Sequence, residues 1–309
     1  SLPLTTLKEK YKTLNGTNEL SLDYMCSTLK KFGAIHRIPY AWILKYGSIW
    51  HRYKNKVENG VDILDGVWKD FNYIDNIKVW LACVKNLELY NFDQIKNITI
   101  DISESDFYNT DYTIRNKIYD FIYICNKDKD SNECSMNGWN AINRNYELAL
   151  KCFPIMINEY KLKGLCVGRI GCDLSQFGDN ITITDFLPYN ELQEKMRESK
   201  FLFLPNIYDA SPRVVGESLT KGLPVLMNQN IICGFKYITK ETGEYFIDEH
   251  NIRNALDNLI YKLSNNLYTT RKWWEKNYGI EKTSKKLRNF LYLQYPEILE
   301  NITQVSFNI

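Results

Sequence analysis

The sequence has little histidine, no excess of charge of either sign and no long apolar run. Its three histidines, His36, His51 and His250, are far apart, and none of its eight cysteines stands in a CxxC pair. A structural zinc site is therefore not expected. The nearest cysteine spacings are Cys125 with Cys134 and Cys166 with Cys172. Eight cysteines in 309 residues do not make a disulfide framework. The expectation is reduced, mostly buried thiols in a reducing compartment, the cytoplasm. A net charge of +2 gives no general attraction to nucleic acid or membrane, although a local basic patch can hide in such an average. No apolar run is long enough to span a bilayer, and the start carries no signal-peptide pattern. The chain begins at Ser1 rather than Met, which fits a processed chain or a domain of something longer. No internal repeat or low-complexity tract is visible. The four Asn-x-Thr triplets, at Asn15, Asn97, Asn180 and Asn301, are what a chain rich in Asn, Lys, Ile and Tyr contains by chance.

What is present is ordinary globular composition, 44% hydrophobic and 25% charged, in a chain too long for one core, so two domains are expected. The second half alternates strand and helix, the mark of an open parallel sheet covered on both faces. Strands are predicted at 119–125, 162–170, 180–187, 201–206, 223–228 and 243–247. Helices are predicted at 145–160, with Leu148, Cys152, Ile155 and Met156 on one side, and at 190–200, 211–222 and 251–263. The tail from 270 to 299 reads as mostly helical. In the first half, 40–46, 61–67, 77–84 and 95–102 look like strands, with helical material between and before them. The polar stretch 103–117 is the candidate linker.

One stretch concentrates chemistry. Residues 201–226, FLFLPNIYDASPRVVGESLTKGLPVL, begin as a buried strand and end as a helix with a hard stop. Ser211 reads as the N-cap and Pro212 as the first helical position. Gly222 ends the helix and Pro224 keeps it from resuming. A helix N-terminus at the carboxyl end of a strand lies where open α/β sheets bind ligands, and its N–H groups and dipole favour an anion such as phosphate. Asp209, just before the helix, suits a neutral hydroxyl-rich group. Glu217, about two turns inside, suits ribose hydroxyls. Sugar, phosphate and ribose in that order describe a sugar nucleotide. An isolated pair of carboxylates at this spacing is more simply an extended cap and a solvated helix residue, so the wider context has to decide.

That context resembles the nucleotide-binding domain of the group 1 retaining glycosyltransferases of GT-B architecture. Their Glu-x7-Glu at a strand–helix junction, followed by Gly-Leu-Pro-Val, is similar to Asp209-Ala-Ser-Pro-Arg-Val-Val-Gly-Glu217 and the Gly-Leu-Pro-Val after it. The resemblance covers 119–262. It is strongest to compact members from large DNA viruses, through GWNAINRNYELA and DASPRV. Two departures stand out. The first Glu is Asp209, a shorter reach of the same charge, and the basic pair that follows the first strand falls on Lys127 and Arg144. The resemblance implies two Rossmann-like α/β domains facing a cleft, the N-terminal one shortened. Residues 1–105 would be the acceptor-side domain and 118–262 the nucleotide-sugar domain, with helices of 263–309 packing back toward the N-terminal domain.

The resemblance also implies roles. Asp209, Arg144 and Glu217 would be catalytic. Donor binding would fall to Lys127, Arg144, Arg169, Asp209, Ala210, Ser211, Pro212, Arg213 and Glu217, with Asp185, Phe186 and Leu187 beside the base. Arg144 offers a planar fork for phosphate before a helix start. Lys127 is equally a lysine of a surface loop, and Arg169 reaches either a phosphate or Asp173. Gly47 and Ser48 would approach the diphosphate from the other side, and Trp50, His51 and Arg52 would line the acceptor site. The implied partners are a UDP- or GDP-sugar and a glycan or glycoprotein acceptor, with no nucleic acid, no transmembrane segment and no metal cofactor. Retention would let the leaving phosphate take the acceptor proton. An inverting enzyme would need a base such as His51, His36 or Asp62. A sugar-nucleotide epimerase and a non-catalytic carbohydrate- or nucleotide-binding subunit stay open beside transfer.

Overall fold

The computed structural model describes 34–37, 77–82 and 98–101 as backbone, and 115–128, 133–209, 212–232 and 234–294 in fuller detail. The chain divides into two units, Ser1–Ser103 and Glu104–Ile309. In the first, three parallel strands lie in the order β1 (Ala34–Arg37), β2 (Ile77–Ala82), β3 (Ile98–Asp101). Val79 pairs with Ile98 and Leu81 with Ile100. Sequence patterning finds β2 and β3 but not β1, whose four residues, AIHR, are too few to show an alternation. The strands predicted at 40–46 and 61–67 lie outside the described residues.

The second unit carries β4 (Tyr119–Ile124), β5 (Gly164–Val167), β6 (Ile181–Thr184), β7 (Ser199–Leu204), β8 (Val225–Asn228) and β9 (Gly243–Phe246). They form one parallel sheet in the order β6-β5-β4-β7-β8-β9. This is the doubly wound order whose direction reverses between its first and fourth strands, here β4 and β7. Strands buried on both faces read as continuous apolar runs. Here the alternation is aromatic against aliphatic. Phe121, Tyr123, Phe201 and Phe203 enter one layer, and Ile122, Leu202 and Leu204 enter the other. The aromatic layer is covered by α2 (Tyr146–Pro154) and α5 (Ile252–Ser264), which contribute Phe153, Cys152, Leu256 and Leu259. The aliphatic layer is covered by α3 (Tyr189–Arg197), α4 (Arg213–Thr220) and α6 (Thr270–Asn277), through Met196, Val215, Leu219 and Trp274. The last element among the described residues is α7 (Ile280–Gln294).

Local details differ from the sequence expectations for physical reasons. A short helix, α1 (Trp139–Asn143), stands in the predicted loop between β4 and α2. Its first turn is capped from a distance: the Asp128 carboxylate accepts the backbone N–H of Asn140 and, at 3.3 Å, of Ala141. Gly138 leaves room there: a Cβ would lie 2.0 Å from Asp128 Cγ, so a side chain would push the capping carboxylate aside. The helix predicted at 190–200 runs instead from Tyr189 to Arg197, with Pro188 as its N-cap. The N-cap of α4 is Pro212, so Arg213 rather than Pro212 opens the helix, and Glu217 sits just over one turn in rather than two. The α4 stop is as the sequence implies. Gly222 has φ +80°, its N–H donates to Leu219 O at 3.1 Å, and Leu223 N–H donates to Ser218 O at 3.0 Å. This pair of bonds satisfies the last helical carbonyls and needs a left-handed residue.

The cysteines also depart from expectation. Cys134 and Cys172, 38 residues apart, form a disulfide, while Cys125, Cys152 and Cys166 are buried free thiols. The pairing crosses between two loops, so nearness in sequence does not find it.

Candidate functional site

The carboxyl ends of β4 and β7 are where the winding of the sheet reverses and a crevice opens. The loop after β4 leads through α1 to Arg144, and the loop after β7 leads through Asn206 to Asp209 and α4. The two loops meet: Arg144 Nη1 donates to Asp209 Oδ2, which also accepts Asn206 Nδ2 at 3.0 Å. The Asp209 side chain is 10% exposed and that of Arg144 30%. Arg144 is fixed behind its guanidinium, since its carbonyl accepts the Tyr123 hydroxyl at 3.1 Å and its N–H bonds Asn140 O at 2.8 Å. Burial lowers the pKa of this guanidinium below its usual range. Asn145 Nδ2 reaches Pro205 O at 3.2 Å and Ile207 N–H reaches Asn143 O at 3.3 Å, so the two loops are stitched together beneath the pair.

Glu217 lies on the buried side of α4, 9% exposed. Its Oε2 accepts Gln193 Nε2 of α3 at 3.5 Å, and its carbonyl accepts Lys221 Nζ at 3.2 Å. Burial pushes the Lys221 ammonium down to about 8. On the other side of β4, Lys127 Nζ meets Asp185 Oδ2 at 3.1 Å. The Phe186 N–H, 2.7 Å from Asp185 Oδ1, and then Lys127 hold that carboxyl below the usual carboxylate range. Phe186 is 62% exposed at the end of β6, while Leu187 packs on the aliphatic layer.

Arg169 has another environment. Its side chain is 1% exposed. The guanidinium donates to Cys125 Sγ at 3.1 Å and Ser135 O at 3.1 Å, pairs with Asp128 at 3.4 Å, and lies 4.7 Å over the Tyr146 ring. Its carboxylate partner is thus Asp128, not Asp173. Burial works against its charge, but the adjoining Cys125, Tyr123 and Asp128 outweigh it and raise its pKa.

Of the residues singled out in the sequence, the structure brings Arg144 and Asp209 together, pairs Lys127 with Asp185, and seals Arg169 away. Pro212 is buried beside them in sequence and Arg213 is exposed. Ala210 and Ser211 lie outside the described residues, as do Gly47, Ser48, Trp50, His51, Arg52 and Asp62. His36 is in β1. Sequence reasoning missed Asn206, Gln193 and Asp128. Asn206 follows the strand-ending Pro205 and carried a weak positional signal. Gln193 carried none, because its contact crosses from α3 to α4. Among the described residues no three His, Cys, Asp or Glu side chains gather as a metal site, and no helix is long and apolar enough to cross a membrane.

No protein-family model and no curated protein matches the chain. Solved structures match it in fold. Staphylococcus aureus TarM, as a mutant in complex with fondaparinux, α-GlcNAc-glycerol and UDP, is 13% identical at a TM-score of 0.54, covering 70% of this chain and 44% of its own. The pneumococcal O-GlcNAc transferase GtfA, in complex with UDP and GlcNAc, is 12% identical at 0.53, covering 81% and 48%. The lipopolysaccharide outer core galactosyltransferase WaaB, in its apo form, is 12% identical at 0.56, covering 88% and 79%. The chain thus spans about half the length of the first two. At these identities the likeness is one of fold, and the fold of this chain, with its parallel α/β sheets, is that of the GT-B glycosyltransferases.

Proposed function

We propose that the chain transfers a sugar from a nucleoside-diphosphate sugar to a hydroxyl of a glycan or glycoprotein acceptor. The observation that carries this reading is the Arg144–Asp209 pair at the β4/β7 reversal, with a guanidinium that is fixed from behind and open in front. A donor entering there offers both partners something better than each other. The diphosphate takes the Arg144 fork, and a sugar hydroxyl donates to Asp209. Glu217 takes the ribose hydroxyls, and the base lies by Asp185, Phe186 and Leu187. Lys127 and the N-terminus of α4, with Arg213 in its first turn, add positive charge.

In the reaction the bond from the anomeric carbon to the phosphate oxygen breaks and a bond to the acceptor oxygen forms. Arg144 stabilises the charge that develops on the departing diphosphate, so no metal is needed for that task. With retention, the acceptor proton passes to the departing phosphate oxygen on the same face, and no side-chain base is required. The UDP present in the TarM and GtfA structures makes uracil the first base to try, with guanine second. The sugar is a hexose or pentose, the reaction is cytoplasmic, and the viral likeness suggests a role in building a glycan of a large DNA virus. Residues 1–105 supply the acceptor side, including Gly47, Ser48, Trp50, His51 and Arg52.

The test is nucleotide release from UDP- and GDP-sugars, with product sugar followed in parallel. Transfer predicts release of the diphosphate that Glu217→Ala abolishes. A new sugar nucleotide formed with no release would instead mean epimerisation. Binding with neither outcome would mean a binding subunit.

A further inference from the structure

The structure places a covalent and an ionic restraint on the same short loop, the one that leads through α1 to Arg144. The Asp128 carboxylate caps α1, and α1 ends at Arg144. Asp128 is held by Arg169, with side chains 7% and 1% exposed. The Arg169 Nη1 also grips Ser135 O at 3.1 Å, next to Cys134, and the Arg169 carbonyl accepts Cys172 N–H at 2.9 Å. The Cys134–Cys172 disulfide therefore closes the loop that Arg169 and Asp128 already hold from inside. Cys134 is an exposed residue and Cys172 is 5% exposed, which makes Cys134 the end of the bond to be attacked and Cys172 the leaving group.

We propose that Arg169 and Asp128 are positioning residues for Arg144, and that thiol–disulfide exchange at Cys134 loosens or tightens this device and so sets the affinity for a nucleoside diphosphate. The inference rests on the donor-site reading of Arg144. In reduction, a small-molecule thiolate such as glutathione attacks Cys134 Sγ. The disulfide breaks, a mixed disulfide forms on Cys134, and Cys172 leaves as a thiolate that takes a proton. A second thiol attacks the added sulfur, which frees Cys134 and releases the small-molecule disulfide. Two thiols thus supply two electrons and two protons, and glutathione disulfide runs the sequence backwards. Disulfides in reducing compartments are characteristically of this reversible kind. The opened loop has more conformations to lose when a diphosphate binds, so affinity falls.

The experiment is a UDP titration of the full chain, oxidised with glutathione disulfide and then reduced with a phosphine. The expected result is a dissociation constant raised about tenfold on reduction, within the usual range of coupling between sites. The Cys134→Ser/Cys172→Ser chain is expected to keep the reduced value under both conditions. Arg144→Ala is expected to bind weakly with no redox difference, which a merely structural loosening would not produce. Equal affinity in the oxidised and reduced parent, or a redox difference that survives in Arg144→Ala, overturns the proposal. If UDP binds in neither state, the donor-site reading fails for this nucleotide. The device is then judged by amide hydrogen exchange over 139–144. Faster exchange on reduction supports it and unchanged exchange overturns it.

Discussion

Two Arg–Asp pairs sit at neighbouring strand ends of one sheet. Arg144–Asp209 is partly open, at 30% and 10% side-chain exposure, and Arg169–Asp128 is closed, at 1% and 7%. Residue types and position along the sheet are alike, and surroundings separate them. A closed pair has lost its water and keeps its charge only because further groups satisfy it. Arg169 has a thiol sulfur, a carbonyl and an aromatic face, and Asp128 has two helix N–H groups. A partly open pair can exchange its partner for a ligand without leaving a charge stranded. The first arrangement suits scaffolding and the second suits binding.

The largest expected effect comes from breaking the closed pair. Asp128→Ala strands a buried guanidinium and uncaps α1, and should cost about 3–5 kcal/mol in urea unfolding. A loss under about 1 kcal/mol, the level of an exposed pair, would erase the distinction between the pairs. Next comes the open pair. Arg144→Ala should lower kcat/KM for transfer about 100-fold or more, with a stability change far below that of Asp128→Ala.

Lys221 sharpens the comparison as a buried cation whose hydrogen bond is to the Glu217 carbonyl rather than to a carboxylate. Its pKa falls from the ordinary 10.5 to about 8 in the fold. The unfolded chain therefore holds the extra proton between those values, and stability rises as pH climbs from about 8 to 10.5. The rise should be on the order of 2 kcal/mol and should vanish in Lys221→Met, checked by denaturant midpoints across that range. The smallest effect is expected of Gly138→Ala, whose methyl group would press on the Asp128 carboxylate at 2.0 Å. A loss of about 1 kcal/mol is expected, read by thermal unfolding, with a lesser fall in activity as α1 shifts.

The sheet of the second unit was legible because its strands are short apolar runs punctuated by Gly, Pro and polar loops. The order of those strands was not, since neighbours such as β4 and β7 are joined by nothing local. The same limit governs the site. Asp209 and Glu217 announce themselves through their spacing and the Gly-Leu-Pro-Val that follows. Arg144 was placed by resemblance to a known motif. The burial of Arg169, the capping role of Asp128 and the Cys134–Cys172 bond all depend on loops brought together by the sheet, and spacing carries no trace of them. Asp128 illustrates the point: in a run of alternating Lys and Asp it reads as a solvated loop residue, yet its side chain is 7% exposed.

The first measurement is a thermal-shift comparison of UDP and GDP, with and without magnesium, against the parent and Arg144→Ala. A diphosphate at about a hundred times its dissociation constant adds about 2.7 kcal/mol, which for a chain of this size is a rise of several degrees. The predicted result is that rise with one diphosphate in the parent, indifferent to magnesium and lost in Arg144→Ala. An equal rise in Arg144→Ala, or none with either nucleotide in the parent, would contradict the assignment of the open pair to the donor diphosphate.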